Sequence, residues 1–146
     1  LGSLFDLTEG RVALIRKVRP EWQKGYLNGI GGHVEAEEAP LEAMSREFYE
    51  ETGVRVRDWQ HFCTLKTADH DGPAAVHFFT TNAPRDLKLT CMTDEEVLWV
   101  PEGSLWKPLP NLHWLIAMAR AGSHSPAGGG GLWPYVIEAQ SWRCLK

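Results

Sequence analysis

The chain has 146 residues, 43% hydrophobic and 23% charged, with a formal net charge of −4 and a pI near 5.9. That size suits one domain around one core, and the acidic balance argues against long nucleic acid as the main partner, which would need a basic surface. It leaves room for a single nucleotide, because a metal ion can neutralise phosphates locally.

Gly2 to Leu7 and Arg11 to Val18 are apolar-rich and are separated by Thr8-Glu9-Gly10, which predicts a β-hairpin. Leu27 to Ile30 is a short apolar stretch that runs into Gly31-Gly32. Leu41 to Thr52 reads as a helix, with Pro40 at its start and Gly53 where a left-handed cap belongs. Leu41, Met44 and Phe48 recur at helical spacing and form its expected buried stripe. Val54 to Lys66 and Ala74 to Thr81 read as strands joined by a turn around Asp71-Gly72-Pro73. Glu96 to Val100 is a further strand stopped by Pro101. Asn111 to Ala121 is a second helix, with Asn111 as N-cap and Leu112, Leu115, Ile116 and Ala119 facing inward. Ser123 to Gly131, with its four consecutive glycines, is expected to be a flexible loop, and Tyr135 to Ala139 a last strand. Strands interleaved with two helices predict an α/β sandwich with a mixed sheet, in a single domain spanning residues 1–146.

Cys63, Cys91 and Cys144 are distant from one another and odd in number, so neither a zinc site nor a disulfide framework is indicated, and a reduced, cytoplasmic compartment is expected. No apolar run reaches a membrane-spanning length, and no secretory signal opens the chain. The chain begins at Leu1 rather than Met, so a short N-terminal piece is expected to be missing.

Glu47, Glu50 and Glu51 fall within one arc of roughly 100° on the first predicted helix. Carboxylates crowded this way repel one another unless a cation sits among them, and Mg²⁺ suits such oxygen ligands while also taking waters and phosphates. On the helix alone, a solvated acidic end is the better account. The segment before the helix reverses that judgement. Gly32, Glu38, Arg46, Glu47, Phe48, Glu50, Glu51, Gly53 and Val54 form the run G-x5-E-x7-R-E-Φ-x-E-E-x-G-Φ, with Φ an apolar residue. This run resembles the signature of the Nudix hydrolases, of the MutT-like kind, and the flanking strand pattern is similar to the α/β/α sandwich of that family.

The resemblance implies that Glu47, Glu50 and Glu51 hold Mg²⁺ or Mn²⁺, with the Gly32 carbonyl as a further ligand. Glu38 and Arg46 would form a structural ion pair, and Gly53 would end the helix. Where the family often has Lys after the glycine pair this chain has His33, and where it often has Gly before the first motif Glu this chain has Glu37. His33 can donate to phosphate but carries charge only when protonated. Arg16 matches a phosphate-binding arginine of MutT-type members, with a solvated charge as the alternative, and Lys24 is a weaker phosphate candidate. Asn28, in Tyr26-Leu27-Asn28-Gly29-Ile30-Gly31-Gly32, resembles a base-reading Asn of members acting on oxidised purines; a turn-forming Asn-Gly pair is the competing account. Trp22, Trp99, Trp106 and Trp114 are candidate stacking partners for a base. Glu95 and Glu96 stand where the family often supplies a distal carboxylate, as metal ligand or general base. Asp69-His70-Asp71 reads as a polar turn, and the tetraglycine lacks the remainder of a phosphate-binding P-loop.

The function these readings imply is Mg²⁺- or Mn²⁺-dependent hydrolysis of a nucleoside diphosphate linked to another group. The first substrate expectation is a (d)NTP, with an oxidised purine among the options, cut to monophosphate and pyrophosphate. ADP-ribose or dinucleotide hydrolysis and a non-catalytic nucleotide sensor are the alternatives. The expected partner is a small-molecule nucleotide, with neither membrane nor long nucleic acid, and the oligomeric state is not legible.

Overall fold

The computed structural model describes residues 2–6, 9–69, 72–84, 87–123 and 134–139. In chain order its elements are β1 (Gly2–Asp6), β2 (Arg11–Arg16), β3 (Leu27–Asn28), α1 (Pro40–Thr52), β4 (Gln60–Asp69), β5 (Gly72–Asn82), β6 (Glu96–Pro101), α2 (Leu112–Ser123) and β7 (Tyr135–Ala139). They form an α/β sandwich of the Nudix type around one mixed sheet, ordered β3-β2-β1-β5-β4-β7 with β6 paired to β2.

The predicted hairpin is present: β1 and β2 pair antiparallel with Leu4 opposite Ala13. β1 also lies parallel to β5, and β7 lies parallel to β4, which makes the sheet mixed. Alternation along β2 divides the core. Val12 and Leu14 face α2 and join Leu112, Leu115, Ile116 and Ala119, while Ala13 and Ile15 face α1 and join Met44 and Phe48. Each helix therefore covers one face of the sheet.

α1 runs from Pro40, whose missing N–H costs nothing at a helix start, to Gly53, whose φ of 70° admits glycine readily. The Gly53 N–H donates to the Tyr49 carbonyl (2.8 Å) and closes the last turn. Phe48 is fully buried and meets the Trp59 ring edge-on at 5.1 Å. Leu41 corrects the expected stripe: it is 44% exposed, and Ala43 in the same turn is buried in its place.

The strands also differ from expectation at their ends. Residues 54–59 form no strand; Val54 and Val56 pack on the α1-side core, so their alternation reports burial rather than pairing. Gly72 and Pro73 belong to β5 rather than to the turn, opposite Asp69 and Ala68, and His70 and Asp71 lie outside the described residues. The Gly-rich segment expected over 123–131 also lies outside them, except Ser123, which ends α2. Among the described residues no helix is long and apolar enough to cross a membrane.

Candidate active site

The loop 29–39 is held against α1 by one guanidinium. Arg46 Nε and Nη2 donate to the two oxygens of Glu38 (2.9 Å each), and Nη2 also donates to the His33 carbonyl (3.0 Å). Nη1 donates to Glu47 Oε1 (2.9 Å) and Glu50 Oε2 (3.3 Å). A guanidinium has five N–H groups, so every donor of Arg46 is committed. The Arg46 hydrogen bonds draw the Glu38 carboxyl below its usual range, and Glu38 in return raises the proton affinity of Arg46. The arrangement contains the Glu38–Arg46 pair expected from the resemblance and adds two helix carboxylates to it.

The other side of the loop meets Glu51. The Gly31 N–H donates to Glu51 Oε2 (3.1 Å). Burial pushes the Glu51 carboxyl up to about 7 from an ordinary 4.5; the Gly31 bond and the nearby Lys17 charge oppose the rise, and Glu47 and Glu95 add to it. Gly32 packs so closely on the helix that a Cβ there would lie 2.5 Å from the Glu47 carboxyl atoms. A cleft of about 410 Å³ opens beside these groups, between Gly31, Gly32, His33 and Glu47 on one side and Ala75 and His77 of β5 on the other. His77 bonds the Thr64 hydroxyl (3.1 Å), and burial shifts its imidazole toward the neutral form.

Glu95, flagged at the sequence level only as a distal carboxylate, is buried. It accepts from Lys17 Nζ (2.6 Å) and from the Val18 N–H (2.8 Å). Lys17, just after β2, thus pairs with Glu95 and lies near Glu51, whereas the sequence reading had singled out its neighbour Arg16, as a phosphate-binding candidate. Arg16 instead pairs with Glu96 across the β2–β6 ladder (2.9 Å), both half-exposed. Lys24 pairs weakly with Glu21 (3.7 Å) in an exposed turn. The buried Asn28 accepts the Gly29 N–H on its side-chain oxygen (2.9 Å). Of the tryptophans, Trp22 and Trp106 are exposed and Trp99 lies under the Arg11 guanidinium at 4.8 Å.

Among the described residues no three His, Cys, Asp or Glu side chains converge closely enough to hold a metal ion. The geometry gives the reason: Arg46 Nη1 neutralises Glu47 and Glu50, while Glu51 is tied to Gly31. The donor chemistry nevertheless fits a hard divalent cation. Three carboxylates on adjacent turns adjoin a glycine whose missing side chain leaves the room that Glu47 occupies.

A family model described as NUDIX domain matches residues 3–120. A MutT NUDIX hydrolase from Burkholderia pseudomallei superposes with a TM-score of 0.66 at 20% identity, covering 80% of this chain and 94% of that one. A mutator MutT protein from Bacillus halodurans superposes with a TM-score of 0.64 at 21% identity, over 95% and 87% of the two chains. The NUDIX domain of Shewanella oneidensis NrtR, solved with ADP ribose, does so at 0.65 and 18% identity, over 82% of each. At these identities the likeness is one of fold. A Myxococcus xanthus octanoyltransferase is 32% identical over 107 residues, 70% of this chain; the chain spans 29% of the length of that curated relative.

Proposed function

The chain belongs to the Nudix family, and from that premise we propose that it hydrolyses phosphoanhydride bonds in nucleotides, cutting (d)NTPs to the monophosphate and pyrophosphate. The observation that carries the reading is the single node in which the loop 29–39 and α1 are locked: Glu51 on Gly31, and Glu38, Glu47, Glu50 and the His33 carbonyl on Arg46. That node gathers four carboxylates of the loop and the helix, of which Glu47 lines the cleft.

Glu47, Glu50, Glu51 and the Gly32 carbonyl would hold Mg²⁺ or Mn²⁺. Such a cation, when bound, supplies charge neutralisation on phosphate oxygens and acidifies a water. Glu51, held by the Gly31 N–H between the loop and the helix, is the proton acceptor in this reading. Glu95, paired with Lys17, serves to position its neighbours. In the reaction, water oxygen bonds to a bridging phosphorus, the bond to the departing pyrophosphate breaks, and the water proton passes to Glu51. His33 donates to phosphate at the cleft mouth, and the NH₂ group of Asn28 meets the base, oxidised purines included. The Arg16–Glu96 pair must open for Arg16 to reach phosphate. The compartment is cytoplasmic in this reading.

The test is release of pyrophosphate and phosphate with Mg²⁺ and then Mn²⁺. The panel holds ordinary and oxidised (d)NTPs, ADP-ribose and dinucleotides, with Glu50→Gln and Glu51→Gln controls. Turnover of (d)NTPs that either variant or a chelator abolishes supports the proposal, and turnover of ADP-ribose alone would replace the substrate. Nucleotide binding by folded protein with no turnover across the panel would make it a sensor.

A further inference from the structure

A second concavity lies on the opposite side of α1. Ser45 and Tyr49 line it, and at 100° per residue they stand about 120–160° around the helix from Glu47 and Glu51. Its volume is about 320 Å³, and the segment after the helix supplies Arg55, Val56 and Arg57 to its wall. Burial alternates along this segment, with Val54 and Val56 half-buried and Arg55 and Arg57 exposed, and both arginines line the same concavity.

These two arginines are unusual in this molecule. Arg11, Arg16, Arg19, Arg46 and Arg120 each pair with a carboxylate, as befits a chain of net charge −4. Among the described residues, neither Arg55 nor Arg57 has an ion-pair partner. Arg55 is also held in place: its guanidinium stacks over the Tyr49 ring at 4.1 Å. Stacking restrains the side chain while leaving its in-plane N–H edge free of any carboxylate, so less rotamer freedom is lost when that edge binds. Arg46 also borders the concavity, but its donors are spent on Glu38, Glu47, Glu50 and the His33 carbonyl, so Arg55 and Arg57 carry the site.

We propose that this concavity is a second, phosphate-binding site, in which Arg55 and Arg57 grip the phosphate group of a small anion behind the catalytic helix. Paired planar forks suit a phosphate, whose oxygens accept two parallel N–H bonds. The volume suits an inorganic pyrophosphate or the phosphate end of a nucleotide. Occupancy would tie segment 54–59 to α1 through Tyr49. The proposal does not depend on the catalytic reading, since it uses none of the carboxylates of that site.

Titration calorimetry in metal-free, chelator-treated buffer tests it, with inorganic pyrophosphate and separately with a nucleoside monophosphate. Wild type is expected to bind one equivalent of at least one of them, more weakly as salt rises. Arg55→Gln/Arg57→Gln is expected to lose roughly a hundredfold in affinity, roughly tenfold for each charge-assisted fork removed. Both residues are exposed, so an unchanged thermal midpoint should certify that the double variant folds. Glu51→Gln is expected to bind as wild type does, which separates this site from the catalytic cleft. Binding of pyrophosphate alone identifies a free-phosphate site, and binding of the monophosphate identifies a nucleotide site. Equal binding by wild type and the arginine double variant, or no binding of either anion at millimolar concentration, overturns the proposal.

Discussion

Gly32→Ala tests the site most directly, because the substitution adds one carbon at a known place. The new Cβ would lie 2.5 Å from Cδ, Oε1 and Oε2 of Glu47. Non-bonded carbon contacts relax to about 3.5 Å, so the carboxyl must retreat by about 1 Å. Glu47 cannot do so while keeping its 2.9 Å bond to Arg46, whose other donors are all occupied. The stability loss should be small, about 1 kcal/mol for one partly screened charged hydrogen bond. The catalytic loss should be large, since misplacing a catalytic group by about 1 Å costs about a hundredfold. Steady-state turnover with saturating Mg²⁺, run beside a urea melt, separates the two effects. Glu47→Gln, which keeps the shape and removes the charge, must lose activity as well. If Gly32→Ala keeps turnover to within about threefold, the placement of Glu47 does not matter and the proposed ligand set is wrong.

Lys17→Met leaves Glu95 buried with only the Val18 N–H. It should cost about 3 kcal/mol by urea denaturation, and Lys17→Met/Glu95→Gln should recover much of that; equal losses in the two would show the pair is not coupled. For Glu51 the folded-state carboxyl is raised to about 7 from 4.5 by burial. Its contribution to stability is therefore complete below about pH 4.5 and is lost as pH rises through about 7. Metal-free denaturation at about pH 5 and about pH 8 should show that fall in wild type and a flatter response in Glu51→Gln; parallel curves would place Glu51 in water.

The helix α1 was legible because its ends carry backbone chemistry: Pro40 at the first position and a glycine with positive φ at the cap. Periodicity identified Met44 and Phe48 correctly and misjudged Leu41, because spacing gives a face but not where along that face the sheet ends. Val54 and Val56 show the converse, alternation produced by burial without a partner strand. Strand order was not legible at all, since an apolar strand between solvent-facing turns has no mark for its neighbours. In the site, the motif exposed the Glu38–Arg46 pair, but not that the same guanidinium also clasps Glu47 and Glu50. Lys17 went unremarked because its partner lies 78 residues away and nothing local distinguishes it from Arg16.

The position of β1 has a consequence for how the molecule comes together. β1 links the β3-β2-β6 side to the β5-β4-β7 side, and its parallel register with β5 sets Gly2 against Phe79. During synthesis β1 emerges well before β5, so its second edge pairs only once β5 is available, with loop-closure entropy opposing the union. The hairpin of β1 and β2 can form early, but both faces of the sheet close late and together. Trimming a few residues before Arg11 would leave two half-sheets, each with a raw edge inviting intermolecular pairing.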